Sequence, residues 1–249
     1  MLHPPISLVI PCYNEIDRIS KMEQGIKDFI ESWHGVYEVI IVDDGSKDYT
    51  YQAILDNLFF KKLITDGHFK ILKQENYGKG AALRNGVLTA EMDFILTLDA
   101  DMATHPNELL QWYEINKGFK NNELLIGSRE LVTSQVNDSI KRKFIGNVFN
   151  FFVRHFIKLN LKDTQCGFKL YPQQMGKKLF SGLQIKGWAH DVELLKKAQL
   201  LNYKIIEMPI AWNAVEGSKI NVLRDSWNMF WEVIKIKKVI KNFKELLKS

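Results

Sequence analysis

Short apolar runs alternate with stretches of helical spacing across the first 130 positions. The segments "ISLVIPCY" (6–13), "YEVIIVDDGS" (37–46), "FKILKQ" (69–74), "DFILTLDAD" (93–101) and "ELLIGSR" (123–129) read as buried strands. Pro11 has no backbone N–H to give a ladder and is expected to stop the first. Helical spacing runs from about Asp17 to Trp33. "GKGAALRNGVLTA" opens a further helix with glycines, and Pro106 with Asn107 starts another. This alternation predicts an α/β fold, a mostly parallel sheet with helices on both faces. After residue 139 the pattern changes. "SIKRKFIGNVFNFFVRHFIKLNL" reads as a long apolar, aromatic and basic helix, "DTQCGFKLYP" as a loop with a short extended piece, "WAHDVELLKKAQLLN" as a helix and "YKIIEMPIAW" as a strand. The expected organisation is one domain over 1–222, followed by an amphipathic helix over 223–249.

Ligands of such sheets bind beyond the carboxyl ends of the strands. The chemically interesting residues fall there: Tyr13, Asn14 and Glu15, then Asp43 and Asp44, then Asp99 and Asp101, then Ser128 and Arg129. If "FILTLDAD" stays extended, Asp99 and Asp101 project to one side. Two adjacent carboxylates repel unless a cation sits between them. A hard divalent ion, Mg²⁺ or Mn²⁺, suits oxygen ligands and keeps positions open for phosphate. The competing reading is a solvated turn or helix cap, and one Asp-x-Asp alone is weak. In "VDDGS", Asp44-Gly45 reads equally as a turn, whereas Asp43 faces the sheet edge, where a nucleobase N–H can be received. Lys79, among glycines at a helix start, suits an anionic phosphate.

Composition narrows the classes. Two cysteines, Cys12 and Cys166, build no disulfide framework. The first residues lack a basic start and hold three prolines, against a signal peptide. No run reaches the roughly 18 apolar residues of a membrane span. A cytoplasmic location is the resulting expectation. The net charge of +5 is concentrated at the end: residues 231–249 hold six Lys and two Glu. A tail property of this kind argues against nucleic-acid binding. In the tail, Val233, Ile236, Ile240, Phe243 and Leu247 recur at steps of three and four, with lysines on other faces. That helix either lies on an anionic membrane surface or packs on the domain. The Phe-rich "FIGNVFNFFVRHFIKL" is a second membrane candidate, with burial or a dimer contact as its rival. The oligomeric state is open.

The motifs "LVIPCYNE", "VDDGS", "GKGAALRNG", "LDAD" and "IGSR", in this order and spacing, resemble family 2 glycosyltransferases of the GT-A fold. "DTQCGFKLY", "WAHDVELL" and "EGSK" resemble a narrower branch, the dolichyl-phosphate β-glucosyltransferases and bacterial polyprenyl-phosphate relatives. The resemblance covers roughly residues 6–225. It implies an inverting transfer of a sugar, glucose from UDP-glucose, to a polyprenyl phosphate, either dolichyl or undecaprenyl, at the inner face of a membrane. By that analogy Pro11, Tyr13, Glu15 and Asp43 contact the nucleoside, and Lys79 and Arg84 lie by the base or diphosphate. Asp99 and Asp101 hold the metal, with Asp99 also at the nucleotide-sugar. A lipid phosphate is already an oxyanion and needs a cation more than a base. Arg129, Arg142 and Lys169 are the candidates, arginine being suited to bidentate phosphate contacts. Asp163 and Asp191 are the catalytic candidates, as orienting groups or weak bases; their rivals are a loop or cap role and a helix N-terminal charge. His190 reads better as a packed or exposed histidine. Some relatives carry Gln two residues after the second metal aspartate. Here that position is Ala103, which leaves one metal ligand unidentified.

Other readings remain at this point. Family 2 enzymes also use GDP-mannose or UDP-GlcNAc, or a soluble glycan acceptor. A sugar nucleotidyltransferase would need a glycine-rich basic loop after the first strand, where this chain has "PCYNEIDR". A non-catalytic nucleotide-sugar-binding module would have no use for the paired aspartates.

Overall fold

The computed structural model describes residues 2–137, 153–213 and 222–247, with the backbone alone for 222–230. Seven strands form one sheet: β1 (Ile6–Cys12), β2 (Tyr37–Asp43), β3 (Phe69–Lys73), β4 (Phe94–Thr97), β5 (Glu123–Ser128), β7 (Lys169–Pro172) and β8 (Lys204–Pro209). Their order is β3-β2-β1-β4-β7-β5-β8, and all pairs are parallel except those of β7, which runs antiparallel between β4 and β5. Two short strands, β6 (Gln135–Asn137) and β9 (Ala211–Asn213), pair beside it. The expected sheet with helices on both faces is therefore present.

Alternation along the strands builds two cores. Ile6, Leu8 and Ile10 of β1 face α1 (Ile19–Ser32), through Met22, Ile26 and Phe29, and α5 (Glu108–Ile115), through Leu109 and Trp112. Val9 points the other way, toward Leu83 and Val87 of α4 (Lys79–Thr89) and toward α6 (Gln173–Ser181) and α7 (His190–Leu200). Gly86 is required on that face, because a Cβ there would stand 2.4 Å from Val9 Cγ1. Two further helices, α2 (Thr50–Asp56) and α3 (Leu58–Thr65), follow β2. Asn57 starts the second by accepting the N–H groups of Phe59 and Phe60 on its Oδ1.

Several expectations need correction. Pro11 does not stop β1, which continues to Cys12. The Val9 carbonyl receives Leu98 N–H, so Pro11, two residues on, faces the β4 side, where pairing has ended at Val9 opposite Thr97. No ladder bond is lost there. The segment 203–212 is two strands rather than one, since Pro209 ends β8 and the chain crosses to the small sheet. The helix expected over 139–161 falls mostly outside the described residues. Its described part, Val153–Ile157, is one wide helical turn with Val153 and Ile157 buried, and the chain leaves it at Lys158 (φ 54°).

The tail is a helix, α8 (Val222–Leu246), and it packs on the domain. Val233, Ile236 and Ile240 are buried in the second core, and Phe243 lies under the Lys197 ammonium at 5.2 Å, within the roughly 6 Å reach of such a contact. Burying each aliphatic side chain is worth about 1.5–3 kcal/mol. Apart from Leu247, which is exposed, the apolar stripe that suggested a lipid-facing surface is thus spent on protein. Among the described residues no helix is long and apolar enough to cross a membrane.

Candidate active site

The ends of β1, β2 and β4 form the floor. Loops after β1 and β2 are laced together: Asn14 N–H donates to Ser46 Oγ (2.9 Å), Lys47 N–H to Asn14 Oδ1 (2.8 Å) and Glu15 N–H to Thr50 Oγ1 (2.8 Å). This leaves the Tyr13 ring exposed at the rim. Asp43 is fully buried. Its Oδ2 accepts Ser46 N–H at 3.2 Å, and its Oδ1 has no partner among the described residues. Asp44 is the opposite: its carboxylate accepts from Gln74 Nε2 (2.7 Å), Tyr77 N–H (3.0 Å) and Gly78 N–H (2.8 Å). It braces the loop before α4, whereas Asp43 offers an unmet acceptor. Burial raises the pKa of Glu15, Arg18 at 2.6 Å lowers it, and the nearby Asp101 and Asp99 raise it.

The paired aspartates are not on an extended strand, as expected, because β4 ends at Thr97. They sit in a tight turn, closed by Met102 N–H on the Asp99 carbonyl (3.1 Å), with Met102 at φ 49°. Asp101 Oδ1 accepts Ala103 N–H at 2.9 Å. Asp99 lies against Gly167, where a Cβ would stand 2.5 Å from Oδ2. The glycine of "QCGFK" is therefore the cradle of the Asp99 carboxylate. The first residue of α4, Lys79, places its Nζ 2.5 Å from Asp99 Oδ1, under the exposed ring of Trp188 at 5.0 Å. Burial pulls the Lys79 pKa down, but Asp99, Asp191 and Asp101 together raise it, so the side chain is charged. The donor set is two hard carboxylates in contact with solvent. Among the described residues no group of three or more His, Cys, Asp or Glu could hold a metal. The pair fits a Mg²⁺ or Mn²⁺ ion whose other positions go to water and phosphate oxygens.

Behind this pair lies a dry charged layer. Asp191, in the first turn of α7, binds Lys169 Nζ at 2.7 Å; the two side chains are 6% and 1% exposed. Lys169 also donates to the Cys166 carbonyl. Burial works against the Asp191 carboxylate, but His190, Lys169 and Lys79 outweigh it and hold its pKa below the ordinary value. The helix N-terminus favours the same charge. His190 is buried, with Nδ1 2.9 Å from the Gly187 carbonyl and its pKa lowered, burial being the main cause.

The fourth cluster follows β5. Asp163 clamps Arg129 bidentately, Nε at 2.7 Å and Nη2 at 3.0 Å, and also accepts Arg129 N–H (3.1 Å) and Gln165 N–H (3.0 Å). The guanidinium lies over Trp212 at 5.6 Å. Burial opposes the Arg129 charge, but Asp163 and the more distant Cys166 and Asp99 raise its pKa. The Arg129 side chain stays 28% exposed.

The structure thus brings Asp43, Glu15, Lys79, Asp99, Asp101, Asp191, Arg129 and Asp163 to one end of the sheet. Pro11 supports them from inside β1 and Lys169 from beneath Asp191, too buried to meet a lipid phosphate. Arg84 is turned away along α4, with Nε on the Phe180 carbonyl at 3.2 Å. Arg142 lies outside the described residues. Trp188 and Trp212, which pack on the two site cations, were not singled out from sequence. An aromatic beside the "HD" of a helix start was the available signal for the first.

Comparison with known proteins agrees with this geometry. The model of glycosyl transferase family 2 matches residues 7–180. Dolichyl-phosphate beta-glucosyltransferase of Dictyostelium discoideum is 34% identical, over 93% of this chain and 73% of that protein. The human enzyme of the same name is 34% identical over 86% and 69%. Among solved structures, glucosyl-3-phosphoglycerate synthase of Mycobacterium tuberculosis, in complex with Mn²⁺, UDP and glucosyl-3-phosphoglycerate, superposes with a TM-score of 0.65 at 18% identity, over 94% of this chain and 78% of that one. With the GT-A sheet, the site at its carboxyl edge and these matches together, the chain belongs to the family 2 glycosyltransferases.

Proposed function

We propose that the chain transfers glucose from UDP-glucose to a polyprenyl phosphate, inverting the anomeric carbon. The observation that carries the acceptor class is the state of Asp163 and Asp191. Both are ionised, buried and committed to cations, Arg129 and Lys169 respectively. A sugar hydroxyl would need a free base to take its proton. A phosphate monoester arrives already ionised and needs only to be held. Arg129, locked by Asp163, presents its remaining edge for that purpose. The names of the relatives at 34% identity support the same acceptor and sugar.

On the donor side, the unmet Asp43 Oδ1 suits a uracil N–H, and Tyr13 and Glu15 lie at the rim. Asp99 and Asp101 would hold the divalent ion. Bound there, Mg²⁺ or Mn²⁺ would neutralise charge growing on the leaving diphosphate. Lys79 adds a fixed positive charge at the start of α4. Apart from these contacts the chain has to orient an existing nucleophile rather than create one. A protein acting on a lipid phosphate works at a membrane surface, and the exposed lysines of α8 (Lys235, Lys237, Lys238, Lys241 and Lys244) suit the anionic side of one.

The test is transfer of label from UDP-glucose to a short polyprenyl phosphate with Mn²⁺ or Mg²⁺, with GDP-mannose and UDP-GlcNAc as rival donors. Labelled lipid from UDP-glucose is expected. Label on a soluble hydroxyl acceptor instead, with none on lipid phosphate, would reject the acceptor half. Turnover of GDP-mannose but not UDP-glucose would reject the donor.

A further inference from the structure

Lys79 occupies an unusual place. Its ammonium is 2.5 Å from Asp99 Oδ1, the carboxylate on which a divalent ion would have to sit. The Lys79 side chain is only 13% exposed, whereas that of Asp99 is 41% exposed. On the other side of the ammonium lies the Trp188 ring, whose outer face is open to solvent. The base of the side chain is fixed, because α4 starts at Lys79 and its first turn is tied down by Gly80 and Ala81 N–H on the Lys186 carbonyl. The ammonium itself is on a four-carbon stem and can be re-aimed. Two carboxylates one residue apart repel each other, and a positive charge beside them relieves that repulsion. In the chain alone, Lys79 supplies it.

We propose that Lys79 is a displaceable counter-ion: it pairs with Asp99 and offsets part of the charge of the Asp99–Asp101 pair in the empty enzyme, and moves onto the donor diphosphate when metal and nucleotide bind together. This rests on the reading of Asp99 and Asp101 as the metal site. In the empty state one ammonium offsets one of the two carboxylate charges; in the loaded state the divalent ion matches both carboxylates and the ammonium offsets part of the phosphate charge. Empty, the ammonium faces the carboxylates; loaded, the carboxylates face the divalent ion and the ammonium faces phosphate. The consequence is ordered loading. Free metal must compete with a paired ammonium and binds poorly, whereas metal with nucleotide gives the ammonium a second partner. Trp188 reports the move, since it loses or changes the cation beneath its ring.

The experiment is a Mn²⁺ titration followed by the electron paramagnetic resonance of the free ion, with and without UDP, on the unaltered chain, Lys79→Met and Lys79→Arg. Without UDP, Lys79→Met should bind Mn²⁺ at least about tenfold more tightly than the unaltered chain, the smallest effect usually seen for one opposite charge beside a carboxylate. Lys79→Arg should stay weak. UDP should tighten Mn²⁺ binding strongly in the unaltered chain and much less in Lys79→Met. In parallel, Mg²⁺ with UDP should change the Trp188 emission, isolated from that of the other tryptophans by subtracting Trp188→Phe. Equal Mn²⁺ affinity of a folded Lys79→Met and the unaltered chain overturns the proposal and leaves the metal site standing. No Mn²⁺ binding by the unaltered chain even with UDP removes the metal reading and this proposal together. If Lys79→Met does not fold, unchanged Trp188 emission in a chain that binds Mg²⁺ and UDP still overturns it.

Discussion

The donor and acceptor halves of the site use the same residue types in opposite ways. Around β1, β2 and β4 the acidic groups are more open: Asp43 has an oxygen without a partner among the described residues, and Asp99 and Asp101 stand together in a solvent-facing turn, where Asp99 is paired with Lys79 but stays 41% exposed. Around β5, β7 and α7 they are closed: Asp163 and Asp191 are buried, each with a cation within 2.7 Å. An open carboxylate is an invitation to a ligand; a closed one fixes the charge next to it. On the proposed function the first half would receive a metal-bound nucleotide and the second would hold an anion that brings its own nucleophile.

The largest effect should come from the open half. Asp101→Ala removes a carboxylate that, among the described residues, accepts one hydrogen bond, from Ala103 N–H. Label transfer should fall by about 10²–10³-fold, the loss seen when one stabiliser of transition-state charge is removed. Thermal unfolding should change by no more than about 0.5 kcal/mol, as for a surface position. A variant that keeps the original rate would break the comparison at its root.

The closed half should answer in stability. Asp163→Ala leaves the partly buried Arg129, 28% exposed, without its partner, a loss below the about 3–5 kcal/mol of a fully buried pair. The pH dependence has a definite sign. Burial alone would raise the Asp163 pKa, but Arg129 and the backbone N–H groups hold it below the ordinary value. A depressed carboxylate stabilises the fold above its unfolded pKa of about 3.9 and loses that contribution as pH falls through the folded value. The unaltered chain should therefore lose stability as pH drops below about 4, and Asp163→Asn should lose less of its remaining stability over that range. Acid unfolding monitored by circular dichroism checks it. An identical acid limb in both proteins would mean that Asp163 is not the closed group described here.

α8 supports the closed half from outside, because it packs on α7, which carries Asp191. Ile236 is fully buried and Ile234 is 42% exposed on the same helix. Ile236→Ala should cost about 2–5 kcal/mol, and Ile234→Ala no more than about 0.5 kcal/mol. Equal costs, measured by denaturant unfolding, would mean the helix is held by something other than its buried stripe.

The open half was more legible in the sequence than the closed half, for a physical reason. Strand ends and turn residues are local: "VDDGS" and "LDAD" announce both their position and their exposed charge. The pairs Arg129–Asp163 and Lys169–Asp191 join residues 34 and 22 positions apart through an antiparallel strand inserted in the middle of the sheet. Nothing in "DTQCGFKLYP" marks that insertion, so Lys169 reads as a free cation when it is a buried one. The tail shows the same limit. Its spacing of apolar residues is that of any half-buried helix, and periodicity does not say whether the partner is lipid or protein. Arg84 is a third case: α4 was correctly placed, but five residues separate Lys79 from Arg84, and at 100° per residue that points them to different faces.

The finest test of the comparison sets two neighbours against each other. Asp43 and Asp44 are both buried, yet only Asp44 has all its hydrogen bonds. Asp44→Asn replaces an acceptor oxygen by an NH₂ facing N–H donors, and should destabilise the fold by about 1–3 kcal/mol. Asp43→Asn exchanges a buried charge with an unmet oxygen for a neutral amide, which is cheaper to bury. It should leave stability unchanged or raised while weakening the donor by roughly tenfold, about 1.4 kcal/mol. Because the uracil N–H needs an acceptor only once the nucleotide is present, the loss should fall on the KM for UDP-glucose and not on that for the lipid phosphate. Matched KM values for both substrates in Asp43→Asn would move the nucleobase away from β2 and leave its buried oxygen unexplained.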